Sequence, residues 1–203
     1  FGNDGQRHDR GAEAGEGAEM TTNGALKHTI TALVEDRPGV LNRISSMFRR
    51  RGYNIASLAV GHSEIENLSR MTFVVEGDEA IVEQVTKTLH KLVDVIKVFD
   101  VSDANCVSRE LALIRVRANV QSRSEIMQIV DIFRARIVDV SPESIIIEVT
   151  GDEDKVDSLQ NLLRSFGVLE VMRTGTIAMS RGVEDQADER NPDGSRPRME
   201  SGL

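Results

Sequence analysis

The 203-residue chain has one cysteine, no tryptophan, few aromatic residues and no long apolar run. A single cysteine cannot form an internal disulfide, so folding requires no oxidising compartment. No stretch approaches the roughly 18 consecutive apolar residues that a membrane-spanning helix needs. We therefore expect a soluble protein without a membrane span, and one with few side chains for stacking on nucleic-acid bases.

Acidic residues outnumber basic ones by 33 to 25, which gives a formal charge of −8. This balance argues against general binding to nucleic-acid phosphates, which requires clustered positive charge. Much of the net charge lies in two terminal stretches, residues 1–25 and 183–203, and neither has a hydrophobic period. Such segments cannot offset the entropy cost of ordering, so we predict two disordered tails.

The remaining body consists of two halves with the same order of predicted elements, β-α-β-β-α-β. The hydrophobic spacing in the first half predicts strand 28–34, a helix from Val40, strands 53–60 and 70–76, helix 81–89 and strand 92–101. The second half predicts strand 111–118, helix 126–133, strands 137–140 and 145–150, helix 156–163 and strand 168–177. The tripeptide Gly77-Asp78-Glu79 recurs as Gly151-Asp152-Glu153, each time before a predicted helix.

This order of elements predicts an α+β fold of two tandem ferredoxin-like modules, residues 26–103 and 104–182. Each module would form a four-stranded antiparallel sheet with both helices on one face. The other face would be bare, and a unit of this size buries little surface alone. We therefore expect the bare face or an edge strand to pack against another copy of the chain.

The residues that usually carry catalysis are scattered. His8, His28, His62 and His90 have no second ligand at metal-site spacing, and Cys106 is expected to be a free thiol in the linker between the halves. No glycine-rich phosphate loop, nucleophile elbow or zinc-protease helix occurs. We expect no catalytic residue, no metal site and no cofactor in this chain.

The turn Asp36-Arg37-Pro38-Gly39-Val40 is the most informative segment for function. Amides at Gly39, Val40 and Leu41 would form a small anion site at the start of a helix, which suits a carboxylate. Asp36 could accept hydrogen bonds from an ammonium group, so the turn matches the head group of a free α-amino acid. Alternatively, Asp36 only caps the helix, and Pro38-Gly39 only shapes its first turn.

Several sequence blocks resemble one known family. The turn over 36–41 and the block Phe-Arg-Arg-Arg-Gly-Tyr-Asn-Ile-Ala-Ser-Leu over 48–58 resemble the ACT domain of the acetohydroxyacid (acetolactate) synthase small subunit. Further resembling blocks follow in the same order, at 68–72, 89–95, 109–111, 132–135 and 173–175. The resemblance covers about residues 27–182, the whole predicted folded body.

This resemblance implies a regulatory subunit with no catalytic site of its own. It implies binding to the large, catalytic subunit of acetolactate synthase, which would carry thiamine diphosphate, magnesium and FAD. That partner joins two pyruvates, or pyruvate and 2-oxobutyrate, with loss of carbon dioxide. The small subunit would raise this activity and make it sensitive to feedback by a branched-chain amino acid, typically valine. The expected location is the cytoplasm, or the plastid stroma in a photosynthetic eukaryote.

The resemblance also implies a homodimer in which ACT domains pair across a two-fold axis. The effector would lie between the helix-opening turn of one chain and strand residues of the other. Carried over by position, the effector-binding residues are Asp36, Pro38, Gly39, Val40, Leu41 and Asn54. Some family members have Asn and Ser in place of Asp36 and Pro38. Because Pro38 has no N–H, the set of donors differs in this chain.

Two other interpretations stay open at this point. A free-standing amino-acid sensor of the ACT class would bind a ligand without affecting any synthase. The second interpretation is an RNA-binding module, since the RNA-recognition motif has the same order of elements. That function needs exposed aromatic residues on central strands, and the predicted strand 70–76 offers only Phe73.

Overall fold

The computed structural model describes residues 19–20, 26–102 and 105–182. The segments predicted to be disordered tails lie outside these residues, apart from Glu19–Met20. Residues 103 and 104, where we predict the boundary between the modules, also lie outside them. Within the described ranges, no helix is long and apolar enough to cross a membrane.

The first module has the predicted order of elements, preceded by one short strand. Its sheet is antiparallel throughout, with the order β5-β2-β4-β3, and β1 continues the β5 edge beside the start of β2. The elements are β1 (Glu19–Met20), β2 (Leu26–Glu35), α1 (Val40–Arg51), β3 (Ile55–His62), β4 (Leu68–Glu76), α2 (Glu79–Leu89) and β5 (Val95–Asp100).

One apolar core joins the helices to this sheet. The rings of Phe48 on α1 and Phe73 on β4 stack with centroids 5.3 Å apart, and neither side chain is more than 1% exposed. Ile44 and Leu89 are equally buried, as the helical spacing predicts. Each such side chain stabilises the fold by about 1.5–3 kcal/mol relative to an exposed position.

The second module repeats the arrangement, with a sheet order of β9-β6-β8-β7 and β10 beside the start of β6. Its core shares no residue with the first. The elements are β6 (Cys106–Arg117), α3 (Arg123–Ile132), β7 (Arg136–Val140), β8 (Ser144–Gly151), α4 (Glu153–Leu163), a 3-10 turn (Arg164–Phe166), β9 (Val168–Arg173) and β10 (Ile177–Ser180). The predicted fold of two tandem ferredoxin-like modules is confirmed.

The repeated tripeptide performs the same task in both modules. Asp78 precedes α2, and its side chain accepts a hydrogen bond from the Ile81 N–H at 2.9 Å. Asp152 precedes α4 and accepts one from the Lys155 N–H at the same distance. Each aspartate gives a first-turn N–H a side-chain acceptor at the start of a helix, where no preceding turn supplies one; the Ile81 N–H also donates to the Asp78 carbonyl at 3.0 Å.

Two sequence predictions about the second module are wrong. The strand predicted over 168–177 is two strands, β9 and β10, which both pair with β6. Between them Gly175 adopts a left-handed φ of 82° and interrupts this pairing. Cys106 is not in a linker: it begins β6, opposite Ser180. The strand starts early because β10 gives its first residues a partner that the hydrophobic pattern did not indicate.

The second module packs on the helix-free face of the first sheet. The Thr176 N–H donates to Ser57 Oγ at 2.9 Å, and Lys27 Nζ lies 2.5 Å from Glu153 Oε1. Thr31 and Thr72 belong to this face of the sheet, and each is only 4% exposed. The face that we expected to need another copy is therefore covered in part by the chain itself.

Candidate functional site

The helix-opening turn has unpaired backbone donors. Gly39 stands at the N-cap of α1 with a left-handed φ of 92°, and no side chain caps the helix. The Val40 N–H faces the Arg37 carbonyl at 3.4 Å, whereas the N–H groups of Gly39 and Leu41 donate to no other described group. Two free amides at a helix N-terminus attract an anion such as a carboxylate.

A buried acid anchors this turn. Asp94 precedes β5 and is 1% exposed, and it accepts hydrogen bonds from Arg37, one of them from Nε at 3.1 Å. The hydrogen bond to Asp94 is the main cause of the raised pKa of Arg37. Arg43 Nη1 approaches the second oxygen of Asp94 at 3.2 Å, as an ion pair without hydrogen-bond geometry. The turn is thus fixed to the loop that follows α2.

Arg43 also places a positive charge beside the free amides. A Cβ added to Gly39 would lie 3.9 Å from Arg43 Nη2, so the guanidinium stands directly over the turn. Its side chain is half exposed and can reach a ligand from α1. Two amides and one guanidinium are therefore donors at this turn, a set that suits a carboxylate.

The Asp36 side chain does not cap the helix, contrary to the alternative that the sequence left open. One of the Asp36 carboxylate oxygens lies 3.0 Å from His62 Nδ1 at the end of β3. The backbone N–H of Asp36 donates to the Asn67 carbonyl. The carboxylate is 43% exposed, and His62 is 89% exposed. Asp36 is consequently accessible to an ammonium group on the outer side of the turn.

Asn54 lies far from the other predicted residues within one chain. It immediately precedes β3, and its Nδ2 donates to Glu76 Oε2 at 2.7 Å. His62, which contacts Asp36, is at the opposite end of the same strand, so about 25 Å of extended chain separates the two ends. The structure brings Asp36, Pro38, Gly39, Val40 and Leu41 together and leaves Asn54 apart.

The structure contradicts the requirements of the RNA-binding interpretation. Phe73, the aromatic residue on the central strand β4, is fully buried in the core beneath the helices. The opposite face of the sheet contacts the second module instead. Among the described residues, no cluster of three or more histidine, cysteine or acidic side chains could hold a metal ion.

Sequence reasoning missed three of the residues that shape the site, namely Arg43, His62 and Asp94. Asp94 left one trace, as an acid within the apolar run that leads into β5. Arg43 and His62 left none, because their proximity to the turn arises only when α1 and β3 pack around it.

A pair of ferredoxin-like modules with a ligand-accessible turn before the first helix defines a protein of the ACT class. Residues 30–97 match a family model described as the AHAS small subunit-like ACT domain, and residues 109–182 match one described as the small subunit of acetolactate synthase. The chain belongs to the acetolactate synthase small-subunit family.

Individual relatives agree with this assignment. A "Probable acetolactate synthase small subunit" of Archaeoglobus fulgidus is 57% identical over 157 residues, which cover 77% of this chain and 98% of that protein. The acetolactate synthase small subunit of Mycobacterium leprae is 52% identical, and the aligned residues cover 78% of this chain and 94% of that protein. The crystal structure of the Thermotoga maritima small subunit superposes with a TM-score of 0.73 at 44% identity, covering 78% of this chain and 99% of that one.

Proposed function

We propose that this chain is the regulatory subunit of acetolactate synthase, which binds a branched-chain amino acid and transmits feedback inhibition to the catalytic subunit. The observation that carries the proposal is the turn at Gly39, where free amides and the Arg43 guanidinium are placed for a carboxylate. Asp36 provides the acceptor for the ammonium group. Membership of the small-subunit family supports the catalytic subunit of acetolactate synthase as the proposed partner.

The site becomes complete only in a two-fold dimer. β3 is an edge strand that pairs with β4 alone among the described strands, so its other edge can pair with a second copy. In a symmetric antiparallel pairing, the start of one β3 meets the end of the other. Asn54 of the partner subunit would then lie beside His62 and Asp36, which explains how one effector can contact both ends of the strand.

The apolar surroundings favour a branched aliphatic side chain on the effector. Leu41, Val60 and Ile65 lie on or near the turn and the end of β3, and each is 44–50% exposed. Burial of these side chains against an isopropyl group would contribute favourable free energy without a further polar contact. Valine is therefore the effector that we propose first.

The chemistry of acetolactate formation belongs to the partner in this proposal. Thiamine diphosphate, magnesium and FAD would be bound by the catalytic subunit, and both subunits would be cytoplasmic. This chain would act by binding and orientation: its occupied turn would stabilise the arrangement of the dimer that inhibits the partner.

Reconstitution tests the proposal. The purified chain would be titrated into its own catalytic subunit, and acetolactate formation would be measured with and without valine, leucine and isoleucine. We expect no product from the chain alone, a higher rate on mixing, and inhibition by at least one amino acid. A chain that binds an amino acid but leaves the rate unchanged would be a free-standing sensor instead.

A further inference from the structure

A cleft of about 550 Å³ lies between the two modules, on the helix-free side of the first sheet. One wall is formed by β3 and β4, with Ala59 and Thr72, and the other by β6 and β10, with Val107 and Ala178. The volume falls within the range typical of small-molecule sites, and the walls are mainly apolar. The cleft does not include the Gly39 turn, although Val60 and His62 at the end of β3 border both, and the cleft is not assigned to any ligand.

Among the described residues, the charged side chains that line the cleft are both arginines. Arg70 and Arg109 line it together with His62, and no acidic residue of the described part of the chain does, although the full chain carries a charge of −8. Arg70 is paired with Glu64 at 2.8 Å. Arg109 has no acidic partner in the described part of the chain, and its Nη1 donates only to the neighbouring Ser108 carbonyl.

An unneutralised guanidinium at an apolar cleft determines the kind of ligand. A carboxylate would satisfy the guanidinium by charge-assisted hydrogen bonds, and an aliphatic body would fill the apolar walls. An ammonium group would be disfavoured, because no described carboxylate lines the cleft; Asp36 and Glu64, which pair with His62 and Arg70, lie outside it.

We propose that the cleft binds a short aliphatic carboxylate that lacks an ammonium group, such as a branched 2-oxo acid. Its carboxylate pairs with Arg109, and its hydrocarbon chain packs between Ala59 and Ala178. The site differs in selectivity from the Gly39 turn, where Asp36 offers an acceptor for ammonium. The proposal does not depend on the function proposed for that turn.

Isothermal titration calorimetry on the full chain tests this site with three probes of one carbon skeleton. These are 4-methyl-2-oxopentanoate, L-leucine and the neutral 4-methyl-1-pentanol. A Gly39→Asp background blocks the effector turn and leaves the cleft unchanged. In that background we expect the oxo acid to bind once per chain, and leucine and the alcohol to bind at least about tenfold more weakly.

Two substitutions locate the bound probe. Arg109→Gln should weaken oxo-acid binding by about tenfold or more, because it removes the charge-assisted hydrogen bonds. Arg117→Gln, on the same strand but outside the cleft, is the matched control and should have no effect. Gly61→Leu should abolish binding by filling the cleft, since a Cβ at Gly61 meets no atom within 4 Å and the fold can accept the side chain.

Several results would overturn the proposal. These are no binding of the oxo acid, equal binding of leucine and the oxo acid in the Gly39→Asp chain, or binding that Arg109→Gln leaves unchanged. Failure of the effector turn would be recognised separately, as a wild-type chain that binds no amino acid and does not affect the synthase.

Discussion

Gly39 combines a backbone requirement with the proposed ligand contact. Its φ of 92° favours glycine, and its free amide is one of the donors proposed for the effector carboxylate. Gly39→Asp would place a fixed negative charge beside Arg43, where the ligand carboxylate should bind. Allosteric coupling is typically about 1–3 kcal/mol, and this clash can remove all of it. We expect a reconstituted synthase that is still activated but no longer inhibited.

Gly39→Asn is the matched control for that variant. Asparagine has the same size as aspartate and also tolerates a left-handed φ, but it carries no charge. We expect it to retain inhibition at a higher effector concentration. Inhibition curves for both variants decide the matter: if Gly39→Asp leaves the wild-type curve in place, the turn is not the effector site.

Asp94 is the residue whose substitution should destabilise the turn most. Asp94→Asn leaves the Arg37 and Arg43 guanidinium groups without their buried carboxylate. We expect the free energy of unfolding, measured in urea, to fall by about 1–3 kcal/mol. The loss is no larger because both arginines are half exposed and regain water in the variant. Glu83→Gln removes the exposed ion pair with Lys87 and serves as the control, with a change below about 0.5 kcal/mol. Equal losses in the two variants would contradict the anchoring role.

At the scale of secondary structure, the junction of β9 and β10 determines how the modules dock. A Cβ at Gly175 would lie 2.7 Å from Ser57 Oγ and 3.1 Å from the Leu58 carbonyl oxygen. Gly175→Ala should therefore lower the free energy of unfolding by about 1–3 kcal/mol, in addition to the loss from backbone strain. Gly182→Ala isolates that strain, because Gly182 has a similar φ of 75° and a Cβ there meets nothing within 4 Å.

Urea unfolding and limited proteolysis would compare these two variants. We expect Gly175→Ala to unfold at a lower urea concentration than Gly182→Ala and to be cleaved between the modules, while Gly182→Ala shows only the smaller loss due to backbone strain and is not cleaved there. Indistinguishable behaviour of the two would show that the contact between Gly175 and β3 contributes little to docking.

The helices and most strands were predictable because each depends on its own hydrophobic period. The apolar spacing of α1 and the aspartate caps of α2 and α4 lie within the elements that they specify. The break at Gly175 and the early start of β6 were not predictable in this way. Both depend on β10, which pairs with β6, and on Thr176 just before it, which donates to a strand more than a hundred residues away in sequence.

At the scale of the whole molecule, the candidate site likewise contains residues that local sequence indicates and residues that only the folded chain brings together. The contiguous turn residues could be selected from their own chemistry, whereas Asn54 entered only through the family resemblance. Arg43, His62 and Asp94 reach the turn through space, from different elements, and no local spacing reveals them. Predictions from sequence therefore selected the proposed ligand-binding segment and missed the residues that the structure places around it.

The separate cores allow a fragment to be tested. Because the two cores share no residue, we expect a fragment of residues 26–103 to fold, to dimerise and to bind the effector. Light scattering would measure its mass and calorimetry its binding. A monomeric fragment, or one that binds nothing while the full chain binds, would place the site elsewhere.

The central claim is that one effector site is shared between two copies, and a mixed dimer tests it most directly. One chain would carry Gly39→Asp and its partner Asn54→Ala, with different tags for purification, and valine binding would be measured by calorimetry. A shared site predicts one binding event per dimer at wild-type affinity, because the intact turn of one chain meets the intact Asn54 of the partner subunit. If the mixed dimer shows only the weakened affinity of the Asn54→Ala parent, each site lies within a single chain and the account is wrong.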